Sequence, residues 1–174
     1  QGFVIGGTSF ARGVGMVQQH FTLVPTLTVA ENVVLGAEPR KNGLLDVERA
    51  IAEVEATCKR FEFALDARAQ VGSLSVGSQQ KVEIVKALHR GATTLILDEP
   101  TAVLTPQEAD ELFAVTRSLS QAGKTVVLIS HKLNEVLAFA TRIAVMRKGK
   151  KVADGLKPEE TNAAALAGLM VGGD

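Results

Sequence analysis

The stretch Thr94-Leu95-Ile96-Leu97-Asp98-Glu99-Pro100 limits the possible folds more than any other part of the chain. Three large apolar residues run without polar alternation into two carboxylates, and a proline closes the run. Such a run suits a strand buried on both faces, as in a parallel sheet covered by helices. Asp98 and Glu99 then stand at the carboxyl end of a central strand, where open α/β sheets bind ligands. Taken alone, the same pattern also fits an ordinary strand closed by acidic turn residues.

The flanking segments supply the alternation that such a sheet needs. Gly15–Val17 reads as a short strand ending at Gln18-Gln19-His20, and Phe3–Ile5 as another before the loop Gly6-Gly7-Thr8-Ser9. Thr28 with Glu31 has capping-box spacing and opens a helix that Gly36 ends. Arg40–Asp46 reads as a polar loop, and Asp46 caps a helix to about Phe63 with Ile51, Val54, Cys58 and Phe61 on one stripe. Ser75 opens the next helix, whose apolar face is Val82, Val85 and Leu88, with Lys81, Lys86 and Arg90 outside. Thr105-Pro106-Gln107-Glu108 is a capping box with proline at the first helical position. That helix carries Leu112, Phe113 and Leu119 inward and stops at Gly123. Thr125–Ser130 reads as a second buried strand, followed by His131 and a short helix with Leu133, Val136 and Leu137. A hairpin turning at Lys148-Gly149 and a small-residue helix over about Asn162–Met170 complete the chain. Strands alternating with helices predict a doubly wound α/β sheet.

Composition removes several function classes. Lys+Arg and Asp+Glu both number 19, so no bulk positive charge marks a nucleic-acid footprint. A hydrophobic content of 46% excludes a disordered chain. The single cysteine, Cys58, excludes an internal disulfide and reads as a packed side chain. No apolar run approaches the ~20 residues of a membrane span, and the start has no signal-peptide body. A Gly-x-x-x-x-Gly-Lys-Ser/Thr phosphate loop does not occur in the 174 residues.

Ser75-Val76-Gly77 at a helix start offers free N–H groups and a positive dipole end, the usual chemistry for a phosphate, although a plain serine cap looks the same. In chain order, Gln19, then Leu74-Ser75-Val76-Gly77-Ser78-Gln79-Gln80, then Leu95–Glu99, then His131 resemble the nucleotide-binding domain of ABC transporters. They correspond to the Q-loop, the signature sequence, the Walker B strand with its catalytic glutamate, and the H-switch. Gln19-His20-Phe21 with Leu23–Asn32, Pro100–Glu108 and Ser130–Leu133 are similar to the ATPases of bacterial importers of simple sugars and nucleosides. The ending Leu169-Met170-Val171-Gly172 is similar to the close of the first of their two nucleotide-binding halves.

The resemblance implies a P-loop NTPase-like α/β fold: a RecA-like core with a helical subdomain over about 28–73, the first strand and phosphate loop being absent from residues 1–174. It implies ATP and Mg²⁺ as cofactors. Asp98 and Gln19 take the metal, Glu99 is the general base or water-positioning group, and His131 contacts the γ-phosphate. Ser75, Val76, Gly77, Ser78 and Gln79 take a nucleotide seated on a second nucleotide-binding domain, head to tail. Val76 and Ser78 depart from the common glycine and glutamine, and Thr105 stands where the D-loop often has aspartate. His20 and His89 receive no role, His89 being read as a helix-surface residue. Partners implied are that second domain and transmembrane permease subunits, at the cytoplasmic face of a bacterial inner membrane, with no nucleic acid. The chain alone is expected to be inactive. A sheet lacking its phosphate-loop strand is expected to show a gap, a rearranged pairing, or an edge that drives self-association. Two other classes stay open: a non-catalytic interaction module, and an ABC-type ATPase of DNA repair or chromosome maintenance. One cysteine, no long heptad run and zero net charge weigh against the last.

Overall fold

A computed structural model describes residues 13–172. The strand and glycine loop expected within residues 3–9 lie outside them. The chain divides into two compact units, residues 1–129 and 130–174.

The first unit is built on a parallel sheet of β1 (Val14–Val17), β4 (Thr94–Asp98) and β5 (Thr125–Ile129), in the order β1-β4-β5. Val17 pairs with Leu97, and Asp98 with Ile129, so all three strands leave the sheet at one carboxyl edge. Between β1 and β4 run α1 (Val29–Val34), the short strands β2 (Arg40–Lys41) and β3 (Leu44–Leu45), α2 (Val47–Arg60) and α3 (Val76–His89). Helix α4 (Pro106–Gln121) joins β4 to β5. Both capping boxes form as expected, Thr28 with Glu31 and Thr105 with Glu108. Gly15 lets α3 approach β1 closely: a Cβ there would lie 2.8 Å from that of Ala87.

Four expectations are corrected. The sheet is not buried on both faces. Leu95 and Leu97 are buried while Thr94, Ile96 and Asp98 are half-buried, and β5 exposes Val127 (43%) and Ile129 (46%). The register explains this. Leu95 and Leu97 align with Val126 and Leu128, and all four join one apolar cluster with α1–α4. That core sits on one face, and among the described residues β5 is an edge strand. The described sheet therefore has no interior gap. Second, Arg40–Leu45 is a two-residue hairpin, not a loop, because Asn42 (φ 53°) and Gly43 (φ 84°) adopt the doubly left-handed turn that Asn-Gly favours. Third, α3 is buried well beyond its predicted stripe: Ile84 and Ala87 are inside, with the polar Gln80 and Glu83. Fourth, His89 is half-buried, its Nδ1 lying 3.2 Å from Thr57 Oγ1 of α2.

The second unit holds α5 (Leu133–Phe139), the antiparallel pair β6 (Ile143–Arg147) and β7 (Lys150–Leu156), and α6 (Ala163–Val171). Lys148 and Gly149, both at positive φ, make the expected two-residue turn. Ile143, Val145 and Leu166 form its small core, with Leu133, Val136 and Leu137 packed against them.

Candidate functional site

The strand register brings two of the expected elements together. Gln19 follows β1 after one intervening residue, and Asp98 and Glu99 end β4, so all three stand at the same edge of the sheet. Gln19 is exposed, whereas both carboxylates are half-buried. Glu99 holds φ 47°, a left-handed conformation uncommon for a residue with a Cβ. Its N–H donates to the Ile129 carbonyl at 2.9 Å, which carries the β4–β5 ladder one residue past the strand. Backbone outliers of this kind cost of order 1–3 kcal/mol and cluster at functional sites. Asp98 and Gln19 carry oxygen atoms of the kind that magnesium takes.

The signature segment opens α3. Ser75 is its N-cap, and Ser75 Oγ accepts from the Ser78 N–H at 3.2 Å. Gln79 Nε2 donates to the Leu74 carbonyl at 3.1 Å. Val76 is exposed, and Gly77 is buried under Glu108 of α4. A groove of about 610 Å³ links this turn to the Q-loop, its walls including Gln19, Phe21, Pro25, Val76, Gln79 and Val103. Asp98 and Glu99 do not line it. His131 is exposed and belongs to the second unit, whereas the other expected site residues belong to the first.

Three polar residues given no site role from the sequence organise this region. Glu83, 8% exposed on α3, accepts from Thr22 N at 2.7 Å and Thr22 Oγ1 at 2.9 Å. Asn32, fully buried on α1, accepts from Val24 N at 2.7 Å and donates Nδ2 to the carbonyls of Val24, Leu27 and Thr28. Together they fix the loop that follows Gln19 to two helices. Glu108 accepts from the Gly77 N–H at 3.1 Å. A charge inside the apolar run Val82-Glu83-Ile84-Val85 and an asparagine inside Val29–Val34 were the available signals.

A family model described as ABC transporter matches residues 5–102. The chain belongs to the ABC transporter family. Members with similar sequences include the nucleoside import ATP-binding protein NupA of Lactococcus lactis, 46% identical over 92% of this chain and 31% of that protein. The guanosine import ATP-binding protein NupO of Bacillus subtilis is 49% identical over the same shares. A ribose import ATP-binding protein of Streptomyces coelicolor is 45% identical. The chain thus spans about a third of the length (31%) of these relatives. An ATP-binding cassette of an ABC transporter superposes with a TM-score of 0.73 at 25% identity, covering 87% of this chain and 64% of that one. A nucleotide-free cassette gives 0.71 at 23% identity, over 88% and 64%. The fold is that of a P-loop NTPase-like ABC ATPase. Among the described residues no helix is long and apolar enough to cross a membrane.

Proposed function

We infer that this chain is part of the ATP-hydrolysing component of an importer for simple sugars or nucleosides. One observation carries the reading: the parallel register sets Gln19 beside Asp98 and Glu99 at one sheet edge, as a family member with those motifs requires. The relatives, named as nucleoside, guanosine and ribose import proteins, support the solute class.

In this reading Asp98 and Gln19 hold Mg²⁺, which when bound offsets the charge of the phosphates. Glu99 accepts a proton from, or orients, the attacking water, and its half-burial and fixed backbone hold the carboxylate in place. His131 steadies the same water and the terminal phosphate. Ser75, Val76, Gly77, Ser78 and Gln79 meet ATP carried by a second nucleotide-binding domain. The insertion over about 28–73 faces transmembrane permease subunits, and the apolar groove beside Gln19 lies next to it. The working location is the cytoplasmic face of a bacterial inner membrane.

The test is ATP turnover. The 174-residue chain alone, having no phosphate-loop motif, turns over ATP negligibly. In a full-length protein that supplies the motif, Glu99→Gln abolishes turnover, roughly a hundredfold or more for a positioned general base. ATPase activity in the chain alone that disappears in Glu99→Gln overturns the inactivity expectation. Full activity of Glu99→Gln in the full-length protein overturns the role of Glu99.

A further inference from the structure

One donor of the turn assigned above to a phosphate, the Gly77 N–H, already meets an anion supplied by the chain itself. Glu108, in the first turn of α4, places Oε1 3.1 Å from the Gly77 nitrogen. Its other oxygen accepts from Thr105 N and Thr105 Oγ1, each at 3.1 Å, closing the capping box of α4. Hydrogen bonds from the Thr105 and Gly77 amides hold the Glu108 carboxyl below its usual range. The approach is close enough to dictate the residue at 77. A Cβ there would lie 2.9 Å from Glu108 Oε1 and 3.0 Å from its Cγ and Cδ. Along the same pair of helices, Lys81 and Glu111 form a 2.6 Å ion pair that keeps α4 against α3.

The start of α3 attracts anions through the N–H groups of its first turn, which have no carbonyl partner within the helix, and through the positive end of its dipole. A carboxylate matches a phosphate there in charge sign and acceptor type. We propose that Glu108 is an internal occupant of the signature turn, which an incoming phosphate displaces, and that this displacement re-aims the carboxylate capping α4. The proposal rests on the reading of Ser75 and Gly77 as phosphate donors. Thr105 stands at the D-loop position, so one side chain ties the anion site on α3 to the loop that precedes α4. Phosphate binding then alters the Thr105 cap, and any partner that pulls on Thr105 alters phosphate affinity by the same factor, since linkage is reciprocal.

The test follows the Gly77 and Thr105 amide signals of the ¹⁵N-labelled chain during titration with inorganic phosphate. The native chain, Glu108→Gln and Ser75→Ala are compared. Glutamine at the third helical position still completes a capping box, so α4 keeps its start while the charge is removed. Glu108→Gln should half-saturate at about fivefold lower phosphate than the native chain, the scale of one weakened charge-assisted competitor. Both amides should move together in the native chain, and Ser75→Ala should bind more weakly. Equal half-saturation of native and Glu108→Gln, with Ser75→Ala weakened, overturns the displacement and leaves the phosphate reading standing. Tighter binding by the native chain than by Glu108→Gln also overturns it. No response at Gly77 in any of the three overturns the phosphate reading and the displacement with it.

Discussion

Glu83→Ala probes how the loop after Gln19 is held. The carboxylate is 8% exposed and accepts two bonds from Thr22, at 2.7 and 2.9 Å. Hydrogen bonds to charged groups contribute about 1.5–3 kcal/mol each, so the pair is bounded at about 3–6 kcal/mol. Two effects reduce that figure. Thr22 is exposed, so its N–H and hydroxyl recover water in the variant. Removing the carboxylate also removes its own desolvation penalty. A net loss of about 2 kcal/mol remains. With a urea slope of about 2 kcal/mol/M for a chain of this size, the unfolding midpoint falls by about 1 M. Thr22→Val removes the hydroxyl alone and costs about 1 kcal/mol in the native background. It should cost almost nothing once Glu83 is alanine, a coupling of about 1 kcal/mol. A midpoint shift below about 0.25 M, or additivity within about 0.3 kcal/mol, would refute the claim that Glu83 anchors this loop.

Asn32→Ala removes a fully buried amide that bonds the Val24 N–H and three carbonyls, each of which keeps a backbone donor, and should cost about 1–2 kcal/mol, read by urea unfolding. Gly77→Ala would stabilise an ordinary helix by about 0.5–1 kcal/mol. Here the new Cβ strikes Glu108, so the melting temperature should drop instead of rising. Glu108 also predicts an acid dependence. Its folded carboxyl titrates below the unfolded value near 4.5, so the folded state binds fewer protons. Its contribution is then complete above that pH and lost as pH falls through the folded value. The stability gap between the native chain and Glu108→Gln should therefore narrow as the pH falls below the ordinary carboxylate range, measured by urea titration at each pH. Val127→Lys on the open face of β5 should change stability by less than about 0.5 kcal/mol while raising solubility, measured by light scattering.

Much of the architecture could be read from local chemistry. Thr28 with Glu31, Thr105 with Pro106 and Glu108, and Lys148-Gly149 each fix their own neighbourhood, and the structure shows every one of those starts and turns. Burial was harder, because it depends on what lies across the sheet. Val126-Val127-Leu128 reads the same whether one or both faces of a strand are covered, and only the structure shows that Val127 lies on the face away from the α1–α4 core. The edge position of Gln19, Asp98 and Glu99 followed from the motif order. The contacts made by Glu83, Asn32 and Glu108 did not. Glu83 reaches 61 positions to Thr22 and Glu108 reaches 31 to Gly77, farther than any spacing rule, while Asn32 reaches back only four to eight residues but into an irregular loop. Arg40–Leu45 is different, since its Asn-Gly signal was present and was passed over.

The outer rim of β5 has a consequence for handling the protein. Its backbone amides and carbonyls on that side face no strand among the described residues, and valine and isoleucine stand exposed beside them. A strand rim that pairs with no strand among the described residues offers its backbone groups to an extended peptide of compatible pattern. A short synthetic segment rich in β-branched residues, added in trans, should therefore bind there and suppress the concentration-dependent clumping that the bare rim would otherwise promote.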